Sequence, residues 1–158
     1  MWQKIKPYFI SILIALGVGG LSALLTRNSM DIYEKTNHAP LSPPSILFPI
    51  VWSILFILMG VSAAMIYTRK DEDPSGVRDS LVVYAISLLF NFFWSIIFFN
   101  MQAYLFAFIW LLALWILIIL TIVSYKKISP LAAYLQIPYL LWVTFAAYLN
   151  LGVYVLNR

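Results

Sequence analysis

The sequence has no cysteine and a single histidine, His38. Disulfide bonds, thiolate metal sites and cysteine nucleophiles are therefore excluded, and one histidine cannot build a zinc cluster or a Ser/His/Asp triad. Charge is scarce as well: Asp, Glu, Lys and Arg make up 10% of the chain, against about 25% in an ordinary soluble domain. This is too little charge to cover the surface of a soluble globule of 158 residues.

Apolar residues dominate what the sequence does contain, at 63% of the chain. A helix of about 20 mostly apolar residues crosses a hydrocarbon core about 30 Å thick, and five runs reach that length. No run contains Asp, Glu, Lys, Arg or His, so transport through an ionisable relay is disfavoured. The sequence predicts an all-α integral membrane protein, a single-domain bundle of five transmembrane helices over residues 1–158. The predicted spans are residues 7–26, 46–68, 81–99, 104–124 and 131–156.

The basic residues lie between the apolar runs, so the net charge of +4 indicates membrane topology and not a nucleic-acid partner. Because cytoplasmic loops carry the excess of Lys and Arg, their distribution predicts a multi-pass protein of the cell membrane with a cytoplasmic N-terminus and a first loop outside. That loop, residues 27–45, contains three prolines, which favour extended backbone. The predicted cytoplasmic side holds Lys4, Lys6, Arg69, Lys70, Arg78, Lys126 and Lys127, and the other side holds Arg27, Lys35 and Arg158.

Small residues recur at every fourth position of the first span. Such a stripe lets the backbone of another helix approach closely. Two partners are open at this point: a neighbouring helix of the same chain, or the same face in a homodimer. The residues are Ser11, Ala15, Gly19 and Ala23.

Tryptophan and asparagine side chains fall at similar depths in three of the predicted spans. With a rise of 1.5 Å per residue, Trp52 and Trp94 lie about 9 and 8 Å below the outer ends of their spans. On the fifth span, Asn150 and Trp142 lie about 9 and 21 Å deep. Trp142 shares its helix face with Ala146, whose small side chain leaves a gap beside the indole for a flat ligand. The pattern predicts an aromatic pocket in the outer half of the membrane, beneath the first loop.

Each of these residues also has a simpler interpretation. Tryptophans anchor helices at membrane interfaces, and we interpret Trp2, Trp110 and Trp115 in that way. The amide of Asn91 must find a partner in lipid, and a hydrogen bond to a neighbouring helix would supply it. Position alone does not separate anchoring from ligand binding for Trp52.

Three motifs follow one another along the chain. They are Pro40-Leu41-Ser42-Pro43-Pro44-Ser45 with Phe48-Pro49-Ile50-Val51-Trp52, then Asn91, Trp94, Phe98 and Phe99, and finally Pro138-Tyr139-Leu140-Leu141-Trp142 with Thr144-Phe145-Ala146-Ala147-Tyr148-Leu149-Asn150. In these motifs the sequence resembles the translocator proteins, also called tryptophan-rich sensory proteins. The resemblance covers the whole chain in length, number of spans and motif order.

The resemblance implies a five-helix bundle, commonly a homodimer, that binds porphyrins, some sterols and isoquinoline or benzodiazepine-type drugs in a cavity beneath the first loop. From some bacterial members it also implies light-dependent oxidative breakdown of protoporphyrin, with Trp52 and Trp142 as the catalytic residues. Porphyrin would then be a ligand or substrate, and neither a resident cofactor nor a metal is expected. The mammalian sterol motif is poorly matched, because Leu151 and Gly152 stand where tyrosines are expected. The predicted ligand-binding residues are Tyr33, Pro43, Trp52, Phe56, Asn91, Trp94, Trp142, Ala146 and Leu149.

Three classes of function remain open from the sequence. A tetrapyrrole-binding protein, carrier or sensor needs only the uncharged aromatic pocket. A photochemical enzyme would use the same pocket to consume the same ligand. A structural membrane protein would need only the small-residue stripe, which leaves the aligned tryptophans without a role.

Overall fold

A computed structural model describes all 158 residues, which form helices and short connections without a β-strand. Five segments are long and apolar enough to cross a membrane, so the predicted all-α bundle of five transmembrane helices is confirmed. A 3₁₀ turn follows the first helix and a π-helical turn extends the fourth. The helices are α1 (Trp2–Thr26), α2 (Met30–Lys35), α3 (Leu47–Tyr67), α4 (Pro74–Ser95), α5 (Tyr104–Lys126), α6 (Pro130–Leu135) and α7 (Ile137–Asn157); the 3₁₀ turn is Arg27–Ser29 and the π turn Ile96–Asn100.

Successive spans run antiparallel because three of the four connections are short. Helix α1 packs mainly on α3, α4 on α5, and α5 on α7. One end of the bundle carries the first loop and is called the loop end below. The opposite end, which carries the chain start and the connections after α3 and α5, is called the basal end.

The outer surface of the bundle is apolar. Large side chains such as Leu24, Ile109 and Leu141 are more than half exposed. In water this surface would drive aggregation, whereas in a bilayer it faces hydrocarbon at no cost. The core itself is small and is formed by the residues that face other helices, among them Met59, Leu114 and Val143.

Two helices begin well before the predicted spans. Helix α1 begins at Trp2 and α4 at Pro74, in polar sequence that a hydrophobicity criterion leaves out. At α4 the reason is local, because the carboxylate of Asp73 accepts a hydrogen bond from the backbone nitrogen of Gly76 at 3.2 Å. This N-cap, with Pro74 in the first turn, starts the helix outside the apolar run.

The fifth span is divided into two helices. Helix α6 ends at Leu135 and α7 begins at Ile137, with Gln136 between them. Pro138 lies in the first turn of α7, where backbone N–H groups have no acceptor within the helix. Proline therefore removes no helical hydrogen bond at this position. The division places α6 against α3, where the Ser62 hydroxyl donates to the carbonyl of Ala132 at 2.7 Å.

Candidate ligand cavity

A cavity of about 420 Å³ opens in the loop-end half of the bundle. Its walls come from α1, α2, α3, α4 and α7, and α5 contributes no lining residue. Of the 23 lining residues, 13 are hydrophobic. A site of this size and character is typical of one that holds an organic ligand.

Eight of the 23 lining residues are aromatic. Trp52 is stacked on Phe56 at a centroid distance of 5.6 Å, both on α3. Across the cavity, the ring of Trp142 on α7 meets Phe48 edge-on at 6.0 Å. Because one turn of helix separates Phe48, Trp52 and Phe56, the α3 wall is a continuous column of rings.

Trp52 and Trp142, to which the family resemblance implies a catalytic role, are half-buried. The indole nitrogen of Trp142 is buried and has no hydrogen-bond partner within the protein. A buried donor of this kind is uncommon in folded proteins. Since Trp142 lines the cavity, a ligand carrying an acceptor atom is one means of satisfying it.

The predicted binding residues Asn91 and Trp94 both donate hydrogen bonds to other side chains of the protein. The Asn91 amide donates to the Tyr139 hydroxyl at 2.8 Å, and the Trp94 indole donates to the side-chain oxygen of Asn150 at 3.0 Å. Asn91 and Trp94 are at most 8% exposed. Both residues therefore form the wall through hydrogen bonds between helices, and each presents only part of its surface to the cavity.

Charge is confined to the rim of the cavity. Arg27 is its one charged lining residue, and it lies at the end of α1 with its side chain exposed. Nearby, the Thr26 hydroxyl donates to the carbonyl of Ser22 at 2.9 Å, which satisfies it within the helix. The interior therefore offers aromatic rings and uncharged polar groups such as the hydrogen-bonded amides of Asn91 and Asn150, and the mouth offers one cation.

The exposed lining residues show where the cavity opens. Gly20 and Ala23 on α1 and Pro49 and Ser53 on α3 are all exposed. They border the gap between the loop-end halves of the two helices, above the level where Gly60 contacts α1. The opening is therefore lateral and faces the hydrocarbon region.

The first loop covers the loop end of the cavity. Tyr33 on α2 is 6% exposed and lines the cavity roof. Its ring is stacked on the imidazole of His38 at 4.5 Å and meets Phe98 and Phe99 at 5.7 and 5.3 Å. The π turn that carries these two phenylalanines thus brings α4 under the loop.

The remainder of the loop is fastened to the end of α7. Asn37 and Asn157 exchange hydrogen bonds, backbone to side chain, at 2.9 and 2.7 Å. The Tyr148 hydroxyl donates to the carbonyl of Pro40 at 2.7 Å. The first part of the loop is helical, because the prolines begin only at Pro40 and leave α2 free to form.

Eight of the nine predicted ligand-binding residues line this cavity, and Pro43 does not. The chain reverses at Pro40 and Leu41, where Leu41 has a φ of 72° and Ser42 donates to the carbonyl of Ala39 at 3.3 Å. This turn carries Pro43 away from the cavity. The sequence reasoning missed several lining residues, of which Phe48 and Pro49 are one turn before Trp52 and were within reach of helical periodicity. The other lining residues that were not predicted to bind ligand are Leu16, Gly19, Gly20, Ser22, Ala23, Thr26, Arg27, Met30, Ser53, Ser95, Phe98, Phe99 and Asn150, although Asn150 was already placed at the depth of the pocket.

The small-residue stripe of α1 faces α3 and the cavity. Ala15 is fully buried, and a Cβ added to Gly19 would collide with the ring of Phe56. On the other side of the contact, a Cβ added to Gly60 would lie 2.6 Å from the Cα of Ile12. Ala15 and Gly19 therefore pack within the chain, Gly19 and the exposed Ala23 border the cavity, and Ser11 lines a second groove nearer the basal end.

Comparison with known proteins gives a consistent result over the whole chain. A model of the TspO/MBR family matches residues 9–156. The sequence is 38% identical to the tryptophan-rich protein TspO of Chlorobaculum tepidum, covering 99% of each chain. It is 34% identical to the protein of the same name from Archaeoglobus fulgidus, covering 98% of this chain and 99% of the relative. It is 30% identical to the translocator protein of Bos taurus, covering 94% of this chain and 88% of the relative.

Proposed function

Because this chain belongs to the TspO/MBR family, a family of multi-pass membrane proteins, we propose that it binds a tetrapyrrole such as protoporphyrin in the cavity beneath its first loop. The observation that carries the proposal is the match between the polarity of the cavity and that of the ligand. A tetrapyrrole is a flat, apolar ring system with acidic groups on one edge. The cavity has aromatic walls and one cation, Arg27, at its mouth.

The expected pose follows from this match. The macrocycle would lie against the column of Phe48, Trp52 and Phe56, because aromatic faces stack and bury large areas. Its carboxylates would point to Arg27 and water, since burying an unpaired carboxylate is costly. The unpartnered indole nitrogen of Trp142 offers a donor to an acceptor atom on the far edge.

The lateral opening supports a membrane route to the site. An apolar pigment concentrates in the bilayer, and the gap between α1 and α3 faces the hydrocarbon region. The loop contacts on α7 close the alternative route from the aqueous side. A carrier that holds such a ligand without consuming it needs no further chemistry.

The binding proposal is tested by titrating protoporphyrin into purified protein in the dark. We expect saturable binding with a shifted Soret band, because the aromatic cavity replaces water around the ring. An isoquinoline-type drug should displace the pigment from the same site. Unsaturable partitioning, equal to that of empty detergent micelles, would exclude the proposal.

Light-driven oxidation of the bound pigment by dioxygen is a second candidate function. The position of Trp52 and Trp142 favours it, because both indoles lie in the wall against which the pigment would be held. Indole is the side chain most readily oxidised by an excited porphyrin and its oxygen products. The two candidates share one site and differ in whether illumination consumes the ligand.

Orientation and assembly are proposed on separate grounds. The excess of basic residues at the basal end supports a cytoplasmic N-terminus in the cell membrane, with the first loop outside. The resemblance to the translocator proteins supports a homodimer. Since Gly19 lies against Phe56 of α3, a dimer would use another face of the bundle, and chemical crosslinking in membranes tests for it.

A further inference from the structure

A second groove, of about 690 Å³, lies at the basal end between α1, α3 and α4. Its walls are apolar, with Ile10 and Ile14 on α1 and Leu88 on α4. Small residues of α3, Ala63 and Ala64, form the floor and give the groove its depth. The two isoleucines are 43% and 56% exposed, so the groove is open to the hydrocarbon region.

Basic side chains occupy one end of this groove. Lys6 of α1 and Lys70, which follows α3, both line it, and no Asp or Glu does. The protein has two carboxylate ion pairs, Arg69 with Glu72 and a second between neighbouring residues at the start of α4, and neither lysine takes part in them. The groove therefore combines an apolar channel with two cations that have no carboxylate partner.

Lys70 is held at the mouth of the groove by an aromatic residue. Its ammonium group donates to the Tyr67 hydroxyl at 2.8 Å and lies 4.2 Å from the centroid of the same ring. This hydrogen bond raises the pKa of Lys70 above its ordinary value, and the neighbouring Asp71 acts in the same direction. Because Tyr67 is neutral, it positions the ammonium group of Lys70 without compensating its charge, and that charge can attract an anion from outside the protein.

We propose that the second groove binds an anionic phospholipid of the cytoplasmic leaflet. The phosphate would lie between Lys6 and Lys70, and an acyl chain would follow Ile10, Ile14 and Leu88 into the membrane. The occupant is identified by charge and geometry together, because only an amphiphile places a phosphate at the mouth and a hydrocarbon chain along the walls. The basal end is also the side where anionic lipids concentrate if the predicted topology is correct.

This groove is distinct from the ligand cavity. Along α1 it ends at Ile14, and the cavity begins at Leu16. Along α3 the cavity ends at Phe56 and the groove begins at Ala63, and Gly60, which contacts α1 closely, lies between them. Lipid binding can therefore hold or fail independently of the proposed tetrapyrrole binding.

The test is native mass spectrometry of the purified protein with dioleoyl phosphatidylglycerol and dioleoyl phosphatidylcholine. We expect the anionic lipid to bind more tightly. A lysine near an anionic lipid contributes about fivefold in affinity, so the double variant Lys6→Gln/Lys70→Gln should bind phosphatidylglycerol roughly thirtyfold more weakly. The matched control is Lys126→Gln/Lys127→Gln, which removes two exposed lysines of the same end that do not line the groove. Its affinity should stay close to that of the parent.

A steric variant tests the acyl-chain part of the groove. Ala85 is exposed and lines the groove, so Ala85→Phe adds bulk there without altering charge or the buried core. It should weaken phosphatidylglycerol binding while circular dichroism shows an unchanged fold. Equal binding of the two lipids would overturn the proposal. So would an equal loss in the Lys126/Lys127 control, or full binding by Ala85→Phe.

Discussion

The indole of Trp94 and the side chain of Asn150 are joined by a 3.0 Å hydrogen bond between α4 and α7. The amide of Asn150 donates in turn to the carbonyl of Tyr104 at 2.9 Å, which adds the start of α5. All three helices are thus connected behind the cavity by one asparagine. In hydrocarbon no water competes for these groups, so the connection fixes the rear wall of the site.

Asn150→Leu should destabilise the bundle. The substitution leaves the Trp94 donor and the Tyr104 carbonyl without partners, at an expected cost of about 1–2 kcal/mol. The measurement is the unfolding midpoint in an SDS titration followed by circular dichroism. Asn28→Leu is the control, because Asn28 is exposed in the 3₁₀ turn and its side chain makes no hydrogen bond. Equal midpoints for the two variants would show that the connection contributes nothing.

Gly60→Ala should weaken the contact between α1 and α3. The new methyl group would lie 2.6 Å from the Cα of Ile12, and backbone at that position cannot move aside without shifting a helix. Overpacking of this kind costs about 1–3 kcal/mol. Gly17→Ala is the matched control, because nothing lies within 4 Å of its added Cβ. A normal midpoint for Gly60→Ala would mean that the two helices pack less closely than the structure shows.

Arg27→Gln should reduce the affinity for protoporphyrin but not for an uncharged isoquinoline. An exposed ion pair contributes about 1 kcal/mol or less, so the affinity for protoporphyrin should fall by up to roughly fivefold. Added salt should make the difference between the variant and the parent smaller, because it screens the ion pair. Soret titrations at two ionic strengths provide the measurement. Lys35→Gln removes an exposed cation of the same loop that does not line the cavity, and it should bind like the parent. If both ligands are affected equally, Arg27 acts on the shape of the site.

Loosening the first loop should speed the release of ligand. Tyr148→Phe removes the bond to Pro40, and Asn157→Ala removes the exchange with Asn37. At about 0.5–1.5 kcal/mol for each of the three hydrogen bonds, the double variant should raise the dissociation rate by roughly tenfold or more. Stopped-flow displacement by an excess of drug measures this rate. Tyr154→Phe, on the same helix and without a hydrogen bond to the loop, should leave it unchanged. Equal rates for all variants would indicate that the ligand leaves only through the lateral opening.

Trp52→Phe and Trp142→Phe separate binding from photochemistry. Each variant keeps a ring for stacking and loses about 1 kcal/mol of contact, so affinity should fall by no more than about tenfold. Under light and at saturating pigment, the loss of Soret absorbance should slow far more than occupancy changes. Trp110→Phe is the control, because its indole donates to the carbonyl of Phe90 at 2.8 Å and does not line the cavity. Parental bleaching in the Trp52 and Trp142 variants would favour a carrier or sensor.

The sequence by itself determined the class of fold. Long uncharged runs must lie in lipid, and the 1.5 Å rise of a helix then places Trp52, Trp94 and Asn150 at similar depths without any knowledge of packing. Composition also excluded thiol and triad chemistry. Helix ends were less predictable, because Asp73 caps α4 outside the apolar run that marks the span.

Only the tertiary structure decided what each residue of the site contacts. The family resemblance put Asn91 at the pocket, but its hydrogen-bond partner, Tyr139, lies on a helix whose rotation the sequence does not specify. The same holds for the stripe of Ala15 and Gly19, since small residues permit the close approach of a helix but do not specify which helix it is. The second groove shows this most clearly. Lys6 and Lys70 are far apart in the chain, and they meet at one groove because α1 and α3 cross antiparallel at Gly60 and bring their basal ends together.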